Sequence, residues 1–237
     1  MPFEYIALDL ETTGLDPKKD KILEIGAARV RDGEILESYQ TFVNHHIQIS
    51  EFITNLTGIT NEMTAGAPSL KAAVSDFFDF CGDFPLLGHN ILFDYSFMKK
   101  AAVNQGKEFE KSAVDTCKIA RKFLEEPKKK SLESLCRHYQ IERVHCHRAY
   151  DDAVAASRLY DCLRNEFYSA SPAAFDPAPL YYPIKKDTPL TKSQKVYLKD
   201  LIKYHRIELD VSVETLTKSE ASRMIDSIIL NYGRIKR

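Results

Sequence analysis

Two carboxylates near the start of the chain, Asp9 and Glu11, have the type and spacing to bind a metal ion. The run Tyr5 to Asp9 predicts a short buried β-strand, and residues two apart on a strand point to the same side. Like charges this close repel each other and require a proton or a cation. Oxygen ligands suit Mg²⁺ or Mn²⁺. Taken alone, the pair is better explained as two surface acids at a solvated strand end.

A second segment, His89-Asn90-Ile91-Leu92-Phe93-Asp94, places another carboxylate after a short apolar strand, Pro85 to Gly88. Asn90 can cap a helix that runs to about Gln105. Asp94 would lie in the first turn of this helix, where the helix dipole favours a negative charge. Taken alone, this acid is explained by helix capping.

A third segment, His147-Arg148-Ala149-Tyr150-Asp151-Asp152-Ala153, spans a predicted loop and the start of a long helix. An imidazole just before the helix, at His147, can take a proton from water near neutral pH. Asp152 would lie in the first helical turn, but the pattern alone does not choose between Asp151 and Asp152. A surface histidine and a capping aspartate explain this segment when it is taken alone.

The elements that must position these residues alternate along the chain. Ile22 to Arg31 and Glu34 to Val43 predict two longer strands, joined by a hairpin at Asp32-Gly33. Apolar periodicity predicts helices over 69–81 and 149–167, and the cap at Asn90 predicts one over 90–105. Further helices are expected over 115–124 and 131–139. Three strands followed by alternating helices and short strands predict an α/β layer fold with a mixed sheet.

The composition of the chain changes at about residue 169. Five of the ten prolines lie between residues 169 and 190, which predicts an extended linker. Thr191-x-x-Gln194 and Thr217-x-x-Glu220 are capping boxes, and each begins an amphipathic helix. We therefore expect a main domain over 1–168, a linker over 169–190 and a small helical module over 191–237.

Charge is distributed unevenly along the chain. Its formal net charge is −1, but residues 185–237 carry 12 Lys and Arg against 7 Asp and Glu, a net of +5. In the first helix of the module the cations recur every three to four residues, at Lys192, Lys195, Lys199, Lys203 and Arg206, so one helix face is basic. The first four are candidate phosphate contacts; protein docking and a plain solvated helix remain alternatives.

Several classes of protein do not fit this composition. A hydrophobic share of 44% and a charged share of 28% are ordinary for a globular domain. No apolar run approaches the roughly 20 residues of a membrane helix, and the N-terminus does not resemble a signal peptide. Five widely spaced cysteines predict reduced thiols rather than a disulfide framework. We expect a cytoplasmic protein without a membrane partner.

Together, the three segments resemble the motifs of the DEDDh (DnaQ-like) family of 3′→5′ exonucleases, which have an RNase H-like fold. Asp9-Leu10-Glu11-Thr12-Thr13-Gly14 is similar to the first motif, and the segments ending at Asp94 and Ala153 are similar to the second and third. Leu56-Thr57-Gly58-Ile59-Thr60 is also similar to a segment between the first two motifs. The resemblance covers roughly residues 3–165. The family includes the proofreading exonuclease of bacterial DNA polymerase III, to which the chain is similar.

The resemblance implies roles for individual residues. The metal ligands would be Asp9, Glu11, Asp94 and Asp152. Asp152 is selected over Asp151 because the family places its last acid five residues after the histidine. His147 would be the general base, and the cofactors would be two Mg²⁺ or Mn²⁺ ions. Contacts to the substrate are implied for Thr12, Thr13, Gly14, Leu15, Asn90 and Phe93.

The resemblance also implies a reaction. The enzyme would hydrolyse phosphodiester bonds at single-stranded or other 3′ ends of nucleic acid, with DNA favoured, and would release 5′-mononucleotides. A DNA polymerase is a further candidate partner. Two alternatives remain open: an RNA-trimming or oligoribonuclease-like exoribonuclease, and an inactive protein that binds nucleic-acid ends as a scaffold. The sequence does not determine the oligomeric state.

Overall fold

The computed structural model describes residues 4–45, 47–143, 147–208 and 212–235. The chain divides into two compact units. The first comprises residues 1–45 and 49–184, and the second comprises residues 46–48 and 185–237.

A mixed sheet forms the centre of the first unit. Within the described residues its six strands are β1 (Glu4–Thr12), β2 (Ile22–Arg31), β3 (Glu34–Phe42), β4 (Leu86–Gly88), β5 (Ser112–Asp115) and β6 (Ala178–Pro179). Their order across the sheet is β3-β2-β1-β4-β5-β6. The β1–β4 and β4–β5 pairs are parallel, and the other three pairs are antiparallel. The predicted α/β fold with a mixed sheet is confirmed.

Helices cover this sheet. They are α1 (Glu51–Thr57), α2 (Asn61–Ala65), α3 (Leu70–Cys81), α4 (Leu92–Asn104), α5 (Thr116–Phe123), α6 (Leu132–His138) and α7 (Ala149–Phe167). The predicted helices over 69–81, 115–124 and 131–139 are confirmed, with Ser69, Asp115 and Ser131 as their N-caps. The capping role predicted for Asn90 is wrong, because Ile91 precedes α4 and makes no side-chain cap bond.

Strict alternation along β1 separates two apolar cores. Ile6 and Leu8 pack with residues of α3 and α4 on one face of the sheet. Tyr5 and Ala7 point to the other face, where they pack with residues of α5, α6 and α7. Because Asp9 and Glu11 continue the second series, β1 directs both carboxylates to the face that α7 covers.

The expectation of a linker from residue 169 is wrong for residues 172–184. Pro172–Phe175 forms a 3₁₀ turn whose Phe175 side chain is buried in the second core. The strand β6 then pairs with β5, and the Leu180 N–H donates to the Lys111 carbonyl at 2.8 Å. The prolines are tolerated because an edge strand needs ladder hydrogen bonds on only one side.

The second unit contains α8 (Lys192–His205), a 3₁₀ turn (Val213–Thr215) and α9 (Lys218–Tyr232). Both predicted capping boxes are present, at Thr191 with Gln194 and at Thr217 with Glu220. Its core is formed by Leu198, Leu201, Val213, Leu216, Ala221 and Ile228. In the part of the chain that the structure describes, no helix is long and apolar enough to cross a membrane.

Candidate active site

Three of the predicted site residues converge at the end of β1. Glu11, His147 and Asp152 each offer one ligand atom, and these atoms all lie within 4.8 Å of one another. Asp152 rather than its neighbour Asp151 belongs to this group. Carboxylate oxygens with one imidazole nitrogen form a donor set that suits a divalent cation. This donor set therefore fits the metal ion that the sequence implies.

Asp94 reaches the same region from α4, on the other side of the sheet. Its side chain is buried, with 3% exposed, and its Oδ1 accepts a hydrogen bond from the Leu10 N–H at 3.0 Å. Leu10 stands between Asp9 and Glu11, so this bond ties the second predicted motif to the middle of the first.

Burial raises the pKa of all four carboxyl groups and is the largest cause in each case, and repulsion from neighbouring acids adds to it. For Asp9, the charges of Asp94, Asp152 and Glu11 add to the effect of burial. The pKa of Glu11 rises to about 7 because Asp152 and Glu24 repel its charge as well. The pKa values of Asp94 and Asp152 are also raised. A proton or a cation between carboxylates that are buried this close together relieves their repulsion.

A guanidinium group lies within the acid cluster. The Arg143 Nε donates to Asp152 Oδ1 at 3.0 Å, and a second nitrogen of the same group contacts the same oxygen. Both side chains are largely buried, with 9% of Arg143 and 11% of Asp152 exposed. The positive charge of Arg143 opposes the rise in the pKa of Asp9, Glu11 and Asp152.

Strand β2 supplies the surface on which the start of α7 lies. Glu24, opposite Glu11 in the β1–β2 register, is fully buried and accepts hydrogen bonds from Arg148 at 2.8 and 3.2 Å. Gly26, opposite Asp9, lies so close to α7 that an added Cβ would be 2.0 Å from the Tyr150 nitrogen. The two strand positions facing the acids of β1 thus hold the third predicted motif in place.

A hydrogen-bond network holds the second predicted motif. Asn90 has a left-handed backbone, with φ at 66°, and its N–H donates to Asp115 Oδ1 at 3.0 Å. The His89 ring is bonded to the Thr116 hydroxyl at 2.9 Å and to the Lys130 carbonyl at 2.8 Å. Burial lowers the pKa of His89. Asp115 and His89 therefore fix the loop that leads into α4 and Asp94.

The predicted substrate contacts after β1 form a hydrogen-bonded loop. The Thr12 hydroxyl donates to the Gly14 carbonyl at 2.7 Å, and the Thr13 hydroxyl accepts from the Lys21 N–H at 2.9 Å. Leu15 is 84% exposed, which is unusual for a leucine that only packs. Phe93 is partly buried and lies 5.1 Å from the Phe97 ring, within the first core. These contacts fit packing for Phe93, whereas Leu15 has its side chain available to a ligand.

Sequence reasoning missed three charged residues near the site: Arg143, Glu24 and Arg148. Arg143 lies in a loop where no periodic pattern marks it. Glu24 and Arg148 are 124 positions apart, and each is an unremarkable charge in its own segment. The charge of Glu24 inside the otherwise apolar run over residues 22–28 was the one available signal, since a fully buried glutamate requires a partner.

Comparison with known proteins places the chain in a family. The model of the RNase_T family, described as Exonuclease, matches residues 6–160. The DNA polymerase III PolC-type protein of Clostridium perfringens is 40% identical over 156 residues, which are 66% of this chain. That match covers 11% of the PolC-type protein, so the chain spans about a tenth of the length of such relatives.

A relative of similar size is the DNA polymerase III subunit epsilon of Aquifex aeolicus. It is 33% identical over 165 residues, which cover 69% of this chain and 82% of that protein.

Solved structures agree on the fold. Exonuclease X in complex with 5′ overhanging duplex DNA is similar with a TM-score of 0.56 at 24% identity, over 69% of this chain and 92% of that one. The nuclease domain of 3′hExo, a DEDDh family member bound to rAMP, has a TM-score of 0.60 at 17% identity, over 75% and 96% of the two chains. From the family match and the epsilon relative together, the chain belongs to the RNase_T exonuclease family.

Proposed function

We propose that this protein is a metal-dependent 3′→5′ exonuclease that hydrolyses the terminal phosphodiester bond of DNA and releases 5′-mononucleotides. The observation that carries the proposal is the convergence of Glu11, His147 and Asp152 within 4.8 Å. The buried Asp94, bonded to the strand between Asp9 and Glu11, completes a set of four acids and one histidine. An intact set of this kind argues against an inactive scaffold.

The four acids would hold two divalent cations, Mg²⁺ or Mn²⁺, with Asp9, Glu11 and Asp152 around one and Asp9 with Asp94 at the other. When bound, the cations would supply a nucleophilic water and would stabilise charge on the leaving 3′ oxygen. The raised pKa values of the acids support this role, because the folded site then favours a bound cation once the protons have left.

The other residues of the site bind substrate and move a proton. An imidazole nitrogen of His147 accepts the proton of the attacking water; the side chain is exposed and belongs to the same group as Glu11 and Asp152. The backbone and hydroxyl groups of Thr12, Thr13 and Gly14 contact the terminal nucleotide. Leu15 lies against its base and Asn90 lines the site beside Asp94, whereas the packing of Phe93 within the first core gives no support to the substrate contact predicted for it.

DNA is favoured over RNA because the two relatives described above are DNA polymerase III proteins. The same relatives make a DNA polymerase a candidate partner. The four described cysteines are free thiols, which suits the cytoplasm. An exoribonuclease remains the second candidate function, since the 2′-OH contacts that distinguish RNA are not identified among the described residues.

The second unit is proposed to grip the nucleic-acid backbone through α8, with residues 1–184 as the catalytic unit and 185–190 as the connection. Lys192, Lys199 and Lys203 are exposed. Lys195 and Lys199 contact Glu214 at 3.1 and 2.7 Å, so a single acid faces two of the four candidate phosphate contacts. The remaining positive charge of this helix face supports phosphate binding.

A direct test uses matched DNA and RNA oligonucleotides labelled at the 5′ end, incubated with Mg²⁺, Mn²⁺ or EDTA. We expect a ladder that shortens from the 3′ end, 5′-mononucleotide products, no reaction in EDTA and faster loss of DNA. A faster loss of RNA would favour the exoribonuclease. Binding without any hydrolysis in either metal would favour the scaffold and contradict the proposal.

A further inference from the structure

The buried contact between Arg143 and Asp152 has no place in the reaction described above. Two nitrogens of the guanidinium group contact a single carboxylate oxygen of Asp152. An oxygen that accepts two such hydrogen bonds has both of its lone pairs engaged. While the contact persists, a metal ion could bind Asp152 only through its second oxygen, and would then lie close to the guanidinium group.

The position of this guanidinium group is that of a counter-ion to the whole cluster. Its nitrogens contact Asp152, whose ligand atom lies within 4.8 Å of those of Glu11 and His147. An arginine cannot lose its proton in a protein, so it remains a cation in every state of the site. Divalent cations bound by the same acids would repel it strongly across a few ångströms of buried protein.

The net charge of the site indicates which partner the guanidinium group of Arg143 binds once divalent cations are present. When all four carboxyl groups are ionised, they and Arg143 carry a net charge of −3. Two divalent cations would change this to +1, which leaves one positive charge for an anion to balance. A phosphodiester carries one negative charge, and its oxygens match the fork of N–H donors of a guanidinium group.

We propose that Arg143 exchanges partners: it binds Asp152 in the metal-free site, leaves it when divalent cations bind, and then binds a phosphate oxygen of the nucleic-acid substrate. This inference rests on the proposed exonuclease function. It adds a substrate-binding residue that also competes with the metal. The alternative is that Arg143 only holds Asp152 in position.

The test begins with calorimetric titration of Mn²⁺ into the metal-free full-length protein, without nucleic acid. Arg143→Gln removes the competing charge, so we expect it to bind Mn²⁺ about threefold to thirtyfold more tightly than the wild type. Arg143→Lys keeps the charge without the fork and should lie between the two. Arg137→Gln, which alters an exposed arginine paired with Glu133, should match the wild type.

The second measurement is the affinity for a 3′-labelled single-stranded oligonucleotide with Ca²⁺ in place of Mg²⁺, with the length of the oligonucleotide checked afterwards. Arg143→Gln should bind it about tenfold more weakly, with Arg143→Lys again intermediate. Weaker Mn²⁺ binding by Arg143→Gln would show a positioning role and overturn the proposal. Unchanged Mn²⁺ or oligonucleotide binding by both variants would overturn it as well.

These outcomes are separate from a failure of the proposed function. If the wild type binds Mn²⁺ and degrades DNA but the Arg143 variants behave as the wild type, the exchange alone is wrong. If the wild type binds no Mn²⁺ and does not hydrolyse nucleic acid, the exonuclease function is wrong. Thermal unfolding in EDTA identifies a variant that has failed to fold, and Arg143→Lys, the more conservative change, then decides the outcome.

Discussion

Gly26 of β2 lies directly against Tyr150 of α7, and an added Cβ at Gly26 would be 2.0 Å from the Tyr150 nitrogen. Gly26 is also the partner of Asp9 in the β1–β2 register. The absence of a side chain at this strand position therefore sets how closely α7, which carries Asp152, approaches the acids of β1.

The first prediction concerns this contact. Gly26→Ala should move α7 away from β2, because the overlap is with backbone and no side chain can rotate to relieve it. We expect the free energy of unfolding to fall by about 3 kcal/mol and the hydrolysis rate to fall roughly 100-fold. Gly66→Ala is the matched control, since its Cβ would meet nothing within 4 Å and its φ is −93°. Wild-type activity in Gly26→Ala would contradict this account of how α7 is placed.

The second prediction concerns the buried pair of Glu24 and Arg148. Glu24→Gln removes the charge that holds Arg148 and weakens the bond to the first turn of α7. Because Arg148 is 28% exposed, we expect a loss of about 2 kcal/mol in urea unfolding, less than for a fully buried pair. Glu133→Gln, in an exposed pair with Arg137, should cost under about 0.5 kcal/mol. Equal losses of stability in Glu24→Gln and Glu133→Gln would show that the pair of Glu24 and Arg148 stabilises the fold no more than an exposed ion pair does.

The third prediction concerns pH. Glu11 has a pKa of about 7 in the folded protein, above its usual value, so the folded state holds this proton more tightly than the unfolded state. Its contribution to stability is therefore complete at low pH and is lost as pH rises from about 4 to about 7. In EDTA, Glu11→Gln should be more stable than the wild type at pH 8, by about 2 kcal/mol, and the difference should vanish by pH 4.

His89 titrates in the wild type and in Glu11→Gln alike, so the difference in stability between the two proteins removes its contribution. Burial lowers the pKa of His89, so its contribution rises with pH and would partly mask the wild-type trend. Thermal unfolding across the pH range provides the measurement. A difference between the two proteins that does not change with pH would contradict the raised pKa of Glu11.

The fourth prediction concerns the second unit. Reversing two charges of α8, in Lys192→Glu with Lys203→Glu, should weaken oligonucleotide binding and flatten its dependence on salt. The slope of log affinity against log salt should decrease by about 1.4, or 0.7 for each lost phosphate contact on a single strand. The control reverses Arg223 and Arg234, two exposed cations outside α8. If the α8 variant and the control have the same slope as the wild type, α8 does not bind phosphates, and protein docking or a plain solvated helix explains its charge instead.

The parts of the structure that sequence could predict are those with a repeating or motif-based signal. The short buried run of β1, the hairpin signal at Asp32-Gly33 between β2 and β3, and the amphipathic pattern of α3 located these elements to within a few residues. The acids were identifiable because five positions match one family pattern in order.

The parts that could not be predicted depend on contacts distant in sequence. The short helices α1 and α2 have too few turns to show a periodic apolar face. The proline-rich segment conceals β6, whose place in the sheet is provided by β5 some 65 residues earlier. The roles of Arg143 and Glu24 depend on the charged residues around them in the folded protein. No local sequence pattern predicts those neighbours.

The central claim is that Asp152, and not its neighbour, belongs to a catalytic metal site. The most direct test compares Asp152→Asn with Asp151→Asn in Mg²⁺-dependent hydrolysis of a labelled oligonucleotide, since the two substitutions are chemically identical and adjacent on α7. We expect Asp152→Asn to reduce the rate at least about 1,000-fold while remaining folded, and Asp151→Asn to stay within a few-fold of the wild type. Near wild-type hydrolysis by Asp152→Asn, or an equal loss in both variants, would contradict the account.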